Sequence, residues 1–174
     1  MHVAIRSFLA CTLAMCLAIT ARAQGPKPGP EHEAFKQTEG VWDATVKLGG
    51  FESKGIMTYR MGLGGLWLLS DFKGDFAGQP FEGRRLETYD AAKKKYVSIW
   101  IDSMSTAPLV MEGTYDKDKK TWTMTGEGPR PGGTAKFKSV TKIVDADTIE
   151  FALSEARPDG KDVGLLAISY KRKK

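Results

Sequence analysis

The side chains best placed to do chemistry in this 174-residue chain lie in YDAAKKKYVSIWIDSMST, Tyr89 to Thr106, and in the segment before it. Residues two apart in an extended strand share a face. Tyr96, Ser98, Trp100 and Asp102 therefore point one way and Val97, Ile99 and Ile101 the other, while Phe81, Gly83, Arg85, Glu87 and Tyr89 share one face of the preceding segment. If the faces bearing Trp100 and Arg85 look inward, they bring a guanidinium, carboxylates and aromatic rings into one interior. An unpaired carboxylate there is costly and must find a partner or shift its pKa upward. Arg85 is the expected partner of Asp102, and with Glu87 and Glu112 the two would form a polar floor for the charged end of a ligand. Trp100, Tyr89 and Trp67 would offer flat walls to its apolar body. The plainer alternative is that Asp102 caps a hairpin, Arg85 faces water, and Trp42, Trp67, Trp100 and Trp122 simply fill the middle.

Other chemistries lack their parts. Ser103 and Ser105 have no histidine base nearby, because His32 sits beside a proline-rich stretch, and no catalytic residue is assigned. Cys11 and Cys16 fall within the first 23 residues. One remaining histidine and no cysteine make no transition-metal cluster, and DKDKK at 116–120 lacks the glycine and closing glutamate of a calcium loop. The glycines near Gly62 and Gly74 precede no helix, so neither stretch is a phosphate cradle. No cofactor or metal is implied.

Residues 1–23 read as a cleaved export signal. Arg6 gives a positive start, 7–20 is almost wholly apolar, and Ala21-Arg22-Ala23 has the small-x-small form of a cleavage site. The apolar run is shorter than the roughly 20 residues of a membrane span, so no stable membrane anchor is expected and the address is periplasmic or extracellular. The whole chain has 26 basic and 21 acidic residues; loss of Arg6 and Arg22 leaves 24 against 21, a net charge of +3. That mild excess, without an aromatic-basic array, does not suit nucleic acid.

The elements that must position the candidate residues are strands. Residues 24–30 hold three prolines and two glycines and form a flexible linker. A short helix is expected over 31–37, after a proline and with acids in its first turn, anchored by Phe35. Ten strand-like segments follow, from Gly40 to Lys171, separated by turn-forming runs such as Asp90 to Lys94, Gly128 to Gly133 and Pro158-Asp159-Gly160. Connections this short force antiparallel neighbours. Closing such a sheet into an up-and-down barrel removes its two exposed edges, and with more than about eight strands the interior leaves room for a ligand. The expected domain is therefore an all-β, single antiparallel barrel over 31–174, with the helix near one mouth. An open two-sheet sandwich is the competing arrangement.

A helix ahead of Gly40-x-Trp42, then a run of hairpins, resembles the calycin group, which includes lipocalins and fatty-acid-binding proteins. More specifically, GPEHEAF at 29–35, LGGLWLLSDFKGDFAGQPFEG at 63–83, YDAAKKKYVSIWIDSMST at 89–106, MEGTYD at 111–116 and TMTGEGP at 123–129 are similar to the bacterial family known as domain of unknown function 1579. The resemblance implies an exported calycin-like barrel with no established activity. Arg84, Arg85 and Thr88 depart from the small or neutral residues expected ahead of its Tyr-Asp pair. Nitrobindin-like barrels hold haem through a late histidine, which is missing here. The functional expectation is a small-molecule binding protein; the alternative is a scaffold with a filled barrel acting through its loops or an exposed strand face.

Overall fold

The computed structural model describes residues 25–174 other than position 77; the export-signal reading lies outside the described residues. Helix α1 (Pro30–Lys36) is followed by β1 (Gly40–Leu48), β2 (Phe51–Gly62), β3 (Trp67–Phe76), β4 (Gln79–Asp90), β5 (Lys95–Asp102), β6 (Leu109–Asp116), β7 (Thr121–Arg130), β8 (Gly133–Asp145), β9 (Thr148–Glu155) and β10 (Val163–Arg172). Every strand pairs antiparallel with its neighbours in sequence, and β1 pairs β10 from Trp42↔Arg172 to Leu48↔Leu166. The sheet closes on itself, which rules out the sandwich.

Proline at the start of α1 has no N–H to lose, and Glu31 and Glu33 complement the positive end of the helix. One helical face carries the aromatic anchor: Phe35 is 3% exposed, stacks at 5.8 Å on Trp122 and meets Tyr96 edge-on at 5.4 Å. Tyr96 Oη donates to the Glu31 carbonyl at 2.9 Å. These contacts seat α1 across one end of the barrel.

Trp42, wholly buried, closes the same end. Its Nε1 donates to the Thr38 carbonyl at 2.8 Å, and the Arg172 guanidinium lies over its ring at 4.1 Å. Arg172 also donates to the carbonyls of Glu39, Gln37 and Ala146, tying the helix–strand junction to the last strand. Hairpins at this end open on aspartates: Asp90, Asp116 and Asp145 each accept backbone N–H groups from the following turn. That is the role of the first residue of DKDKK. Around the far end the connections are β1–β2, β3–β4, β5–β6, β7–β8 and β9–β10, and no helix among the described residues covers them.

Two glycines make the wall close. A Cβ on Gly113 would stand 2.0 Å from the Thr123 carbonyl oxygen, and one on Gly126 1.9 Å from that of Val110. Only residues without a side chain let β6 and β7 approach so tightly.

Candidate functional site

A cavity of about 380 Å³ occupies the barrel between its uncovered end and its middle. Alternation along the strands decides what faces it. On β4 the inward residues are Phe81, Gly83 and Arg85; on β5, Ser98, Trp100 and Asp102; from across the barrel come Phe151, Leu153 and Ile168. Val97, Ile99 and Ile101 lie on the outer face, with Ile101 47% exposed.

Trp100 lies flat because its neighbour has no side chain. A Cβ on Gly83 would be 2.2 Å from two atoms of the indole. The indole stacks beside Phe81, with centroids 6.4 Å apart and planes 22° apart. Its Nε1 donates to Asp102 Oδ2 at 2.8 Å, while Asp102 Oδ1 accepts the Met104 N–H at 2.9 Å. Asp102 thus faces the mouth and caps the hairpin at once.

Arg85 forms the floor. In register across β2 to β5, Tyr59, Ser70, Arg85 and Trp100 make one row. The guanidinium carbon is 5.5 Å from the Trp100 ring and 5.0 Å from that of Phe151, a cation–π arrangement with both. Its charge partner is Glu87, at 3.8 Å from Nη1 and so beyond hydrogen-bond range. Burial works against the guanidinium charge, but Glu87 and the Tyr59 and Tyr170 phenols hold Arg85 above its ordinary value. Burial pushes the Glu87 carboxyl up, against the opposing pull of Arg85 and a hydrogen bond from Ser98. Behind the floor a void of about 20 Å³, bordered by Thr38, Glu87, Trp122 and Thr141, separates it from α1. Burial raises Tyr170 to about 12 and Tyr59 well above the usual phenol. Among the described residues, four buried side-chain nitrogen or oxygen atoms have no hydrogen-bond partner: His32 Nε2, Ser70 Oγ, Arg85 Nε and Trp122 Nε1.

Several expected site residues sit elsewhere. Arg85 does not pair with Asp102; each has a different partner, because Arg85 is opposite Trp100 in the register and Asp102 is opposite Gly83. Trp67 is on the outer face of β3, whose buried residues are Leu68, Ser70 and Phe72. Glu112 is also outside, beside inward Met111, and is bonded to Lys93 and, at 3.4 Å, to Lys95. The hydrogen bond from Lys93 holds its carboxyl below the usual range. Tyr89 does point inward, yet two levels below the floor, beyond Glu87, where it packs edge-on against Tyr96 at 5.2 Å. Glu87 lines the small void rather than the open cavity. Of the expected set, then, Arg85, Trp100 and Asp102 line one cavity, with Glu87 directly beneath. Ser70, Tyr59, Tyr170 and Phe151 were missed, since nothing in strands such as MTYRM or AISYK marks one inward side chain as lying level with Arg85. Among the described residues no group of three His, Cys, Asp or Glu side chains could hold a metal ion.

A family model described as "Protein of unknown function (DUF1579)" matches residues 27–172, almost the whole described chain. The chain belongs to that family. No curated protein matches this DUF1579 member in sequence. Among solved structures it is similar to Rv2717c from M. tuberculosis, with TM-score 0.63 and 14% identity over 84% of this chain and 99% of that one. It is similar also to the S-type phycobiliprotein lyase CPES from Guillardia theta, with TM-score 0.55 and 12% identity over 84% and 99%. At such identities the likeness concerns the fold, and the fold of this DUF1579 member is a ten-stranded barrel of the calycin type.

Proposed function

We propose that this protein binds a small apolar or amphipathic molecule inside its barrel, and that it does so after export. One observation carries the binding half: the cavity of about 380 Å³, reached from the uncovered end and walled mainly by aromatic and aliphatic side chains. Protein interiors pack densely, with few voids larger than a water molecule. This one would hold roughly a dozen waters at their liquid volume and lies in the ~300–1,000 Å³ range of ligand pockets. A filled barrel serving only as a scaffold would have no such space. That the Guillardia theta neighbour is a phycobiliprotein lyase supports the reading at the level of the fold alone. Export rests on residues 1–23 of the sequence, and the N-terminal sequence of protein isolated from its source would test it.

The binding half is tested with a neutral fluorescent probe, N-phenylnaphthylamine. Wild type should bind it at about one per chain, and Leu153→Trp, which puts an indole into the cavity, should abolish binding. Trp67→Ala, altered on the outer face, should bind as wild type does. No uptake by wild type, or equal uptake by Leu153→Trp, refutes the proposal. Native mass spectrometry of protein from its own source would then show what the cavity carries.

A further inference from the structure

Among the described residues, three charged side chains line the cavity: Asp75 and Asp102 near its mouth, and Arg85 at its floor. Acids at the entrance and a cation below repel an anionic group at the rim and favour it at the bottom. The guanidinium there is poorly served. Its Nε has no partner, its carboxylate neighbour stands 3.8 Å away, and the adjacent residue in the same row, Ser70, also has a buried unpartnered Oγ. Trp100 from β5 and Phe151 from β9 brace the guanidinium without using its N–H groups.

An arginine fork matches a carboxylate through two parallel hydrogen bonds. A second carboxylate already occupies the neighbourhood, and two carboxylates sharing one buried guanidinium cannot both stay ionised. Resting on the cavity-binding reading above, we propose that the ligand is an organic monocarboxylate with a flat apolar body, which enters carboxylate first, docks on Arg85 and drives Glu87 to take up a proton. Charge balances. The resident Arg85–Glu87 pair is neutral, the ligand brings one negative charge, and one proton from solvent goes to a Glu87 carboxylate oxygen. Burial already favours that proton. The titratable groups facing Glu87 are Arg85 on its own strand, Tyr59 on β2 and Tyr170 on β10. Both phenols keep their protons, so the exchange belongs to Glu87. Ser98 on β5, Thr141 on β8, Trp122 on β7 and Thr38 after α1 supply the polar surroundings. The flat body suits the stacked Phe81 and Trp100 rings.

Calorimetry with naphthoate and the uncharged naphthylmethanol tests this, between pH 6 and 8, where the acid stays ionised. Wild type should prefer naphthoate by at least about tenfold at pH 6. Its affinity should fall as pH rises, approaching tenfold per unit, with a binding heat that depends on buffer ionisation. Glu87→Gln should bind naphthoate more tightly than wild type at pH 8 and lose the pH dependence. Arg85→Met should lose naphthoate while still binding naphthylmethanol. The double variant Arg85→Met/Glu87→Gln, with a neutral floor, removes the buried unpaired carboxylate and should also bind only the alcohol. Equal affinity for acid and alcohol, weaker naphthoate binding in Glu87→Gln, or undiminished naphthoate binding in both Arg85 variants would overturn the proposal. If N-phenylnaphthylamine enters and naphthoate does not, the carboxylate reading alone fails; if neither enters, cavity binding fails with it.

Discussion

Gly83→Ala should disturb the cavity through a single methyl group. The added Cβ would lie 2.2 Å from Cη2 and Cζ2 of Trp100, against about 3.4 Å for ordinary contact, so the indole must retreat by about 1.2 Å. Its route is constrained. The edge is held by the 2.8 Å bond from Nε1 to Asp102, and Phe81 stacks alongside, so the free direction is into the cavity. Overpacking of this kind costs about 1–3 kcal/mol. At ~2–4 °C per kcal/mol for a domain of this size, the melting temperature should drop by roughly 2–12 °C. Urea unfolding followed by tryptophan fluorescence measures the loss, and near-ultraviolet circular dichroism reports the displaced indole directly. Gly164→Ala is the control, since a Cβ there meets nothing within 4 Å, and it should stay within ~0.5 kcal/mol of wild type. A Gly83→Ala variant with native stability and an unchanged indole signal would refute the claim that a missing side chain places Trp100 against the wall.

Gly113→Ala should be far more harmful, because its Cβ would meet backbone rather than a side chain that can swing away; circular dichroism should show loss of the native barrel, and a folded, native-like variant would contradict the close β6–β7 approach. Arg172→Ala removes three hydrogen bonds to carbonyls and the cation over Trp42, for an expected loss of about 2–3 kcal/mol in urea melts. Arg172→Lys should restore less than half of it, since an ammonium lacks the fork. Tyr96 and Tyr170 are both raised by burial to about 12. A phenol that binds its proton more tightly folded than unfolded loses stability as pH climbs from its ordinary value near 10 towards its folded value. Stability should therefore decline between pH 10 and 12, with phenolate absorbance appearing late and together with unfolding; early, independent ionisation of both phenols would contradict their burial.

Strand identity and chain direction were legible because they depend on local rules. Period-two alternation in YVSIWID put Trp100 and Asp102 on the face opposite Val97 and Ile99, and connections too short for a crossover made every neighbour antiparallel. Phe35 could be read as an anchor because it is the one aromatic on a seven-residue helix. The same rule faltered where alternation was blurred. In GLWLLSDF the apolar residues run together, so whether Trp67 or Leu68 faces inward depends on where β3 leaves the preceding turn. In LVMEGTYD the alternation is clear, with Leu109, Met111, Gly113 and Tyr115 on one face and Val110, Glu112, Thr114 and Asp116 on the other, and the expectation of Glu112 in the polar floor ran against it.

What the sequence by itself determined is which residues share a strand face, since that follows from backbone geometry repeated every two residues. How deep each lies, and what stands opposite, only the closed barrel decided. Register across β2 to β5 set Arg85 level with Ser70, Trp100 and Tyr59, left Tyr89 two layers below, and gave Asp102 to an indole rather than to a guanidinium. The cavity belongs wholly to the tertiary structure, because an enclosed volume is the difference between the space that ten strands surround and the side chains they send into it, and no single segment contains either quantity.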